Sequence, residues 1–339
     1  MKLILKSTVF SVALLTIAGE PLYGSAAADA LQQPAAVTAA PLAGPNRPSN
    51  VPEGHVVTPF GFFHASCLQS LARGERLLAD GRIQHANGST NTKVAVCQHP
   101  HYLRSGVVVN AANARTSPQI DGWVESASIT TGSTNKSYGA LIANWTVPPQ
   151  PYANQGQVLY FFPGFEDINN PQTTILQPVL GWYQGQWSIA SWNCCLNGMV
   201  SNSPAVAVNT GDRIYGSITS TCPPGTLSCA TWNVLSLDLS TGESTTLSDT
   251  PSEGQVFNRA FGGVLEAYFI DSCDAYPADQ QLTFDRVTVF DESLHPLGRQ
   301  KWSQGFDSSH MASPRHRAKL SSITSCGYEI GYFAKASST

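Results

Sequence analysis

Charge is scarce in this chain: only 12% of its 339 residues are Asp, Glu, Lys or Arg, against about 25% in an ordinary globular protein. The formal net charge of -4 leaves no basic footprint, which excludes the phosphate-tracking surface of a nucleic-acid partner. The one dense basic cluster, Arg315, His316, Arg317 and Lys319, reads as a solvated loop. Long apolar runs are also missing beyond the first twenty residues. Nothing there approaches the roughly 18 to 20 residues of a spanning helix, so no membrane partner is expected. No ten-residue segment carries a helical apolar stripe. Catalytic signatures are absent too: there is no G-x-S-x-G elbow, no H-E-x-x-H helix, no Asp-Thr-Gly and no glycine-rich phosphate loop.

What is present starts with an export signal. Lys2 and Lys6 precede an apolar run through Val9, Leu14, Leu15 and Ile17, and small residues follow at 25–28; this order predicts a secretory signal peptide over residues 1–28 and a secreted, extracellular protein. Residues 29–56 are rich in Pro and Ala, the composition of a linker or leader. All eight cysteines lie beyond the signal. In an exported chain an even number reads as disulfides. Proximity pairs Cys67 with Cys97 and Cys222 with Cys229, leaving Cys273 with Cys326; whether Cys194 and Cys195 bond to each other stays open. Cys97, His99 and His101 superficially look like metal ligands, and His64 before Cys67 like a thiol dyad, but an oxidised cysteine serves neither purpose. No metal or organic cofactor is expected.

Short apolar or alternating runs recur at residues 140–147, 157–162, 174–180, 205–208, 214–218, 235–239, 264–270, 282–290 and 328–333, entered and left through Gly, Asp, Ser and Thr. Strands at this spacing with no intervening helices predict an all-β fold, a two-sheet antiparallel β-sandwich or jelly roll, over residues 118–339. Residues 57–117 hold shorter runs, at 60–63, 77–83 and 94–96, with Asp80-Gly81 as a hairpin turn. They predict a small amino-terminal β module clipped by Cys67 and Cys97, with a boundary at about 105–118.

The informative stretch follows. Asn144-Trp145-Thr146-Val147-Pro148 leads to Phe162-Pro163-Gly164-Phe165-Glu166, then Thr174-Ile175-Leu176-Gln177, then Trp187 to Trp192, then Gly211-Asp212, Thr241-Gly242-Glu243 and Gly263-Val264-Leu265-Glu266. Across residues 120–275, this order resembles the eqolisins, the glutamic peptidases, and implies a concanavalin-like sandwich that hydrolyses polypeptide substrates in acid. Gln177 matches the family's catalytic glutamine and Glu266 its catalytic glutamate. Phe162 and Glu166 stand where the family has a Trp and an Asp beside its cleft, Trp123 matches the tryptophan near its mature N-terminus, and Trp192 ends the stretch matching its Trp-x-Glu-Trp strand; with Ser191 these are the expected substrate-binding residues. Two departures stand out. Glu166 replaces an aspartate, and Ser191 stands where the family has a glutamate, which removes one carboxylate of its acidic network.

The chemistry also follows from the residue types. A carboxylate acting as base on water needs a donor for the developing oxyanion, and a glutamine N–H is competent. Glu266 alternates with Val264 and Tyr268, so the expectation is an apolar flank that desolvates it. Pro178 removes a ladder donor beside Gln177, an interruption typical of edges, bulges and sites. Trp182, Tyr183, Trp187 and Trp192 form the densest aromatic patch, fit for a core or a cleft wall.

Charge is unevenly shared. Residues 1–117 hold nine Lys and Arg against five Asp and Glu, with five of the eight His; ten basic and eighteen acidic residues follow. Opposite signs attract, so the 57–117 module reads as a pro-segment or lid that loosens in acid, or as a permanent accessory domain. Two other functions fit the same fold: a glycoside hydrolase pairing Glu166 with Glu266, and a non-catalytic carbohydrate-binding sandwich using the tryptophans on a glycan. Asn87, Asn135 and Asn144 sit in glycosylation sequons.

Overall fold

The computed structural model describes residues 47–109, 123–170, 174–279, 281–306 and 329–333. The expected signal peptide, the basic cluster at 315–319 and Cys326 lie outside them. The fold is all-β: among the described residues the helical turns are three short 3-10 segments.

Two sheets make a sandwich. The larger has nine strands. Eight of them run in the order Ser303–Phe306, Trp123–Thr130, Arg259–Tyr268, Val158–Glu166, Ile175–Tyr183, Gln186–Cys194, Val200–Asn202 and Leu68–Ser70, and Val206–Val208 pairs with Gln186–Cys194. The six-stranded sheet runs Ser244–Pro251, Thr231–Asp238, Arg213–Ser220, Tyr138–Thr146, Gln281–Asp291 and Glu329–Phe333. Pairing is antiparallel apart from Leu68–Ser70 with Val200–Asn202 and Gln281–Asp291 with Glu329–Phe333.

Period-two alternation explains the smaller sheet. In Thr231–Asp238, Trp232, Val234, Ser236 and Asp238 are buried while the residues between them face outward. Its buried residues meet one face of the larger sheet: Trp145, Ile214, Ile218, Val234 and Leu247 pack with Phe161, Phe165, Leu176, Leu180, Trp182, Trp187 and Leu265. The central strands Val158–Glu166 and Ile175–Tyr183 are buried almost throughout, so their second face must be covered as well. Covering it are residues of the amino-terminal module, which begins ahead of the expected residue 57: Val51 is buried and His55–Thr58 is a strand. Val51, Val57, Phe60, Phe62, Phe63, Cys67 and Tyr102 form a second core with Tyr160, Phe162, Val179, Trp192, Val264 and Tyr268. Leu68–Ser70 extends the edge of the larger sheet.

The Cys67–Cys97 and Cys222–Cys229 bonds are present, Cys194 bonds to its neighbour Cys195, and Cys273 is disulfide-bonded. The Asp80-Gly81 turn joins Arg76–Leu77 to Ile83–Gln84, with Gly81 at φ +81°. Residues 94–96 form no strand.

The sheets press hardest at Gly216. A Cβ there would lie 2.7 Å from the Trp145 ring and 2.8 Å from Pro178 Cγ, so Gly216→Ala is expected to cost about 1–3 kcal/mol by overpacking. Gly298, with open space around it, is the control. Urea unfolding checks the difference, and equal stabilities would contradict this packing.

Candidate active site

Side chains two residues apart share a face of a strand, and this places most of the expected site on the covered face. On Val158–Glu166 that face carries Tyr160, Phe162 and Glu166, on Ile175–Tyr183 it carries Gln177 and Val179, and on Arg259–Tyr268 it carries Val264, Glu266 and Tyr268. Trp123 pairs with Glu266 in the register and lies edge-on to Phe162 and Phe261, at 5.8 and 4.6 Å. Trp192 stands beside Gln177 and faces Phe60 of the covering module.

Ser191 does not belong to this face and is corrected here. It alternates with Trp192 and so points between the sheets, where its Oγ meets Ser236 Oγ at 3.1 Å. The aromatic patch divides in the same way: Trp182 and Trp187 touch each other at 5.0 Å within the inter-sheet core, and only Trp192 and Tyr183 accompany the covered face.

Gln177 and Glu266 are both fully buried. Neither polar atom of the Gln177 amide has a hydrogen-bond partner among the described residues. That is a costly arrangement: an amide removed from water without a partner loses roughly 1–3 kcal/mol. Its Cγ lies 3.5 Å from where a Cβ on Gly164 would be, so this glycine leaves the space into which the side chain leans. The Glu266 carboxylate accepts a hydrogen bond from the Tyr268 hydroxyl.

The register sets their spacing. Gln177 is level with Gly164 and Phe261, and Glu266 is level with Tyr160. Four residues along the strand, about 13 Å, and two strand spacings, about 10 Å, put the two Cα atoms about 16 Å apart. Side chains of this length reach about 5 Å each, leaving about 6 Å between their tips when they point toward one another. The pairing is irregular at this level. The ladder between Val158–Glu166 and Ile175–Tyr183 skips three rungs, the middle one where Pro163 faces Pro178, and Arg259–Tyr268 shifts register between Phe261 and Val264. Pro178 thus interrupts a central strand rather than an edge, because Pro163 opposite it needs no partner either.

Glu166 sits at the far end, paired in register with Arg259, whose Nη1 is 3.6 Å from its Oε2 and whose guanidinium lies 4.9 Å over the Phe261 ring. Sequence reasoning passed over Arg259, although a lone arginine inside an apolar strand is itself a sign of a buried charge partner. It also gave no role to Tyr160, whose hydroxyl donates to the Val57 carbonyl of the covering module at 3.3 Å. Arg104, from the same module, is close enough for its charge to act on Tyr268 and Tyr276. Among the described residues no cluster of His, Cys, Asp and Glu fits a metal ion.

Two open cavities lie elsewhere. One of about 400 Å³ is lined by Trp145, Val147, Pro148, Asp279, Leu282 and Asp285, and one of about 290 Å³ lies between Arg73, Glu75, Pro204 and Thr245. Neither includes Gln177 or Glu266.

No family model matches the chain, and no curated protein matches it. Among solved structures it is similar to scytalido-glutamic peptidase bound to a peptide-based transition-state analogue, at 16% identity and a TM-score of 0.38 over 54% of this chain and 85% of that one. It is also similar to SCP-B, a member of the eqolisin peptidases in complex with the tripeptide Ala-Ile-His, at 18% identity and a TM-score of 0.37 over 54% and 85%. Congerin II with lactose follows at 13% identity and a TM-score of 0.24 over 43% and 94%. Likenesses this remote carry no functional argument, which therefore rests on the site's own geometry.

Removing one member of a buried ion pair strands the other. Arg259→Met is expected to lower the unfolding free energy by about 3 kcal/mol at neutral pH in urea titration, and a loss below about 1 kcal/mol would contradict the pairing.

Proposed function

We propose that this chain is a secreted acid endopeptidase of the glutamic type, with Glu266 as general base and Gln177 as donor to the oxyanion. The observation that carries the reading is a fully buried amide without partners on the same sheet face as a fully buried carboxylate. Extended toward one another, the two side chains would leave about 6 Å, the width of one water and one carbonyl group joined by hydrogen bonds of about 3 Å. Glu266 takes a proton from that water as its oxygen attacks the carbonyl carbon, and the Gln177 N–H receives the charge on the carbonyl oxygen. The intermediate then re-forms C=O and breaks the C–N bond, and the proton on Glu266 passes to the leaving nitrogen. Trp123, Phe162 and Trp192 wall the substrate, and Glu166 acts at the far end with Arg259. No cofactor enters these steps.

Within this reading, residues 1–28 are the signal, residues 118–339 the catalytic domain and residues 57–117 a pro-segment seated on the active face. The rival carboxylate pair is disfavoured. Six residues separate Tyr160, the register partner of Glu266, from Glu166, which is about 20 Å along the strand against the roughly 5–9.5 Å that glycoside hydrolysis needs. A sugar-binding platform is disfavoured as well, because Trp182, Trp187 and Trp192 are all buried.

Acid release has a titrating group in His101. Its ring stacks on Phe63 at 4.0 Å and its Nε2 meets the Phe60 carbonyl at 2.6 Å. Burial holds its pKa down at about 4, reinforced by the His55 charge and opposed by the Phe60 contact. Between the free value of about 6.5 and about 4, an opened module binds a proton that the folded one refuses. The module's own fold, which carries Phe60 and Phe63 onto the sheet, therefore weakens as pH falls through that window and loses nothing more below it.

The decisive assay digests an unfolded protein between pH 2 and 6. Relative to wild type, Glu266→Gln is expected to lower kcat about 10³-fold and Gln177→Ala about 10² to 10³-fold. Activity surviving both substitutions would remove the reading. His101→Gln is expected to move the onset of activity to lower pH, and an unchanged onset would exclude His101 from release.

A further inference from the structure

Resting on the peptidase reading, we propose that Tyr160 is a second oxyanion donor of this site, and that the Val57 carbonyl now bonded to its hydroxyl holds the place of the substrate carbonyl. Tyr160 is the direct cross-strand neighbour of Glu266, on the same face, so their Cβ atoms lie about 5 Å apart. Gln177 is four register positions away, which makes the phenol the nearer of the two donors to any carbonyl whose attacking water Glu266 activates.

The ring is held from several sides. It lies over Gly181, where a Cβ would sit 3.5 Å from its edge, and it packs edge-on to Trp192 and Tyr268 at 6.5 and 6.4 Å. Tyr268 is engaged with the Glu266 carboxylate, so the two phenols divide the work: one holds the base and the other faces the covering chain. Burial, together with the Glu266 and Tyr183 charges, pushes the Tyr160 hydroxyl well above its ordinary pKa, so it remains a donor throughout the acid range.

The group it binds has the form of a substrate. His55–Thr58 is an extended strand, paired with Gly61–His64, and it presents a backbone carbonyl to the phenol while Phe62 packs on Tyr268 at 5.7 Å and Phe60 on Trp192 at 6.4 Å. An extended peptide entering after the segment leaves meets the same hydroxyl with its own carbonyl. When the water oxygen bonds to the carbonyl carbon and its proton goes to Glu266, the C=O pair becomes an oxyanion that Tyr160 O–H holds. Collapse restores C=O, breaks C–N and returns the proton from Glu266 to the leaving amine, with Tyr160 unchanged.

Tyr160→Phe keeps the ring and deletes only the hydroxyl, and its melting temperature measured beside wild type confirms folding. In the acid-exposed full chain acting on a fluorogenic peptide, kcat is expected to fall about 10²-fold or more with KM within about threefold. Because the Val57 contact is lost too, the onset of activity is expected at higher pH. Unchanged kcat and onset, or a raised KM at constant kcat, would overturn the proposal while leaving Glu266 and Gln177 in place. A folded wild type that cleaves nothing would overturn the peptidase reading and this donor with it.

Discussion

The structure turns on how the second face of the nine-stranded sheet is kept from water. That face holds a carboxylate and an unpartnered amide, groups that resist burial, yet both are fully enclosed. The enclosure comes from the chain itself, as Val57, Phe60, Phe62 and Phe63 lay apolar surface over Tyr160, Trp192, Val264 and Tyr268. A face that carried only structural residues would have no reason to retain Gln177 and Glu266. A face meant to work in water would have no reason to be covered. In the peptidase reading proposed above, an apolar segment that leaves in acid covers a polar working surface and satisfies both constraints.

Local irregularity serves the same surface. Pro163 and Pro178 sit at the middle of three missing rungs of the ladder, and the neighbouring strand slips register between Phe261 and Val264. These breaks lie at the level of Gln177, Gly164 and Phe162, where a regular sheet would pair every backbone group. On the opposite face, Trp145, Trp182, Trp187 and Phe161 fill the space between the sheets.

Much of the architecture was legible because alternation survives wherever one face meets solvent. Residues 214–218 read as a strand for that reason and lie within Arg213–Ser220, and residues 235–239 overlap Thr231–Asp238 up to its end at Asp238. Ser244–Pro251 was not read as a strand: it is built of Ser, Thr, Asp and Pro around a single Leu247, and its partners supply the hydrophobic environment. Residues 94–96 failed in the other direction, since three apolar residues without an open edge beside them do not pair. The candidate site was half legible. Gln177 and Glu266 were singled out by their neighbours and share one buried face, but the run from Val158 to Glu166 is apolar on both faces, so no pattern within it tells that a separate segment covers one of them. Ser191 was misassigned because a residue's face depends on its register, which a motif does not carry. Tyr160 was overlooked for a similar reason: its partner, the Val57 carbonyl, is a backbone group more than a hundred residues away.

Hydrogen exchange tests the cover most directly. Compared after correction for intrinsic rates, the amides of residues 56–63 are expected to be protected at pH 7 and to lose that protection near pH 4, while Gln186–Cys194 stays protected at both. Equal protection of residues 56–63 at the two pH values, or none at pH 7, would contradict a segment seated on the active face and released by acid.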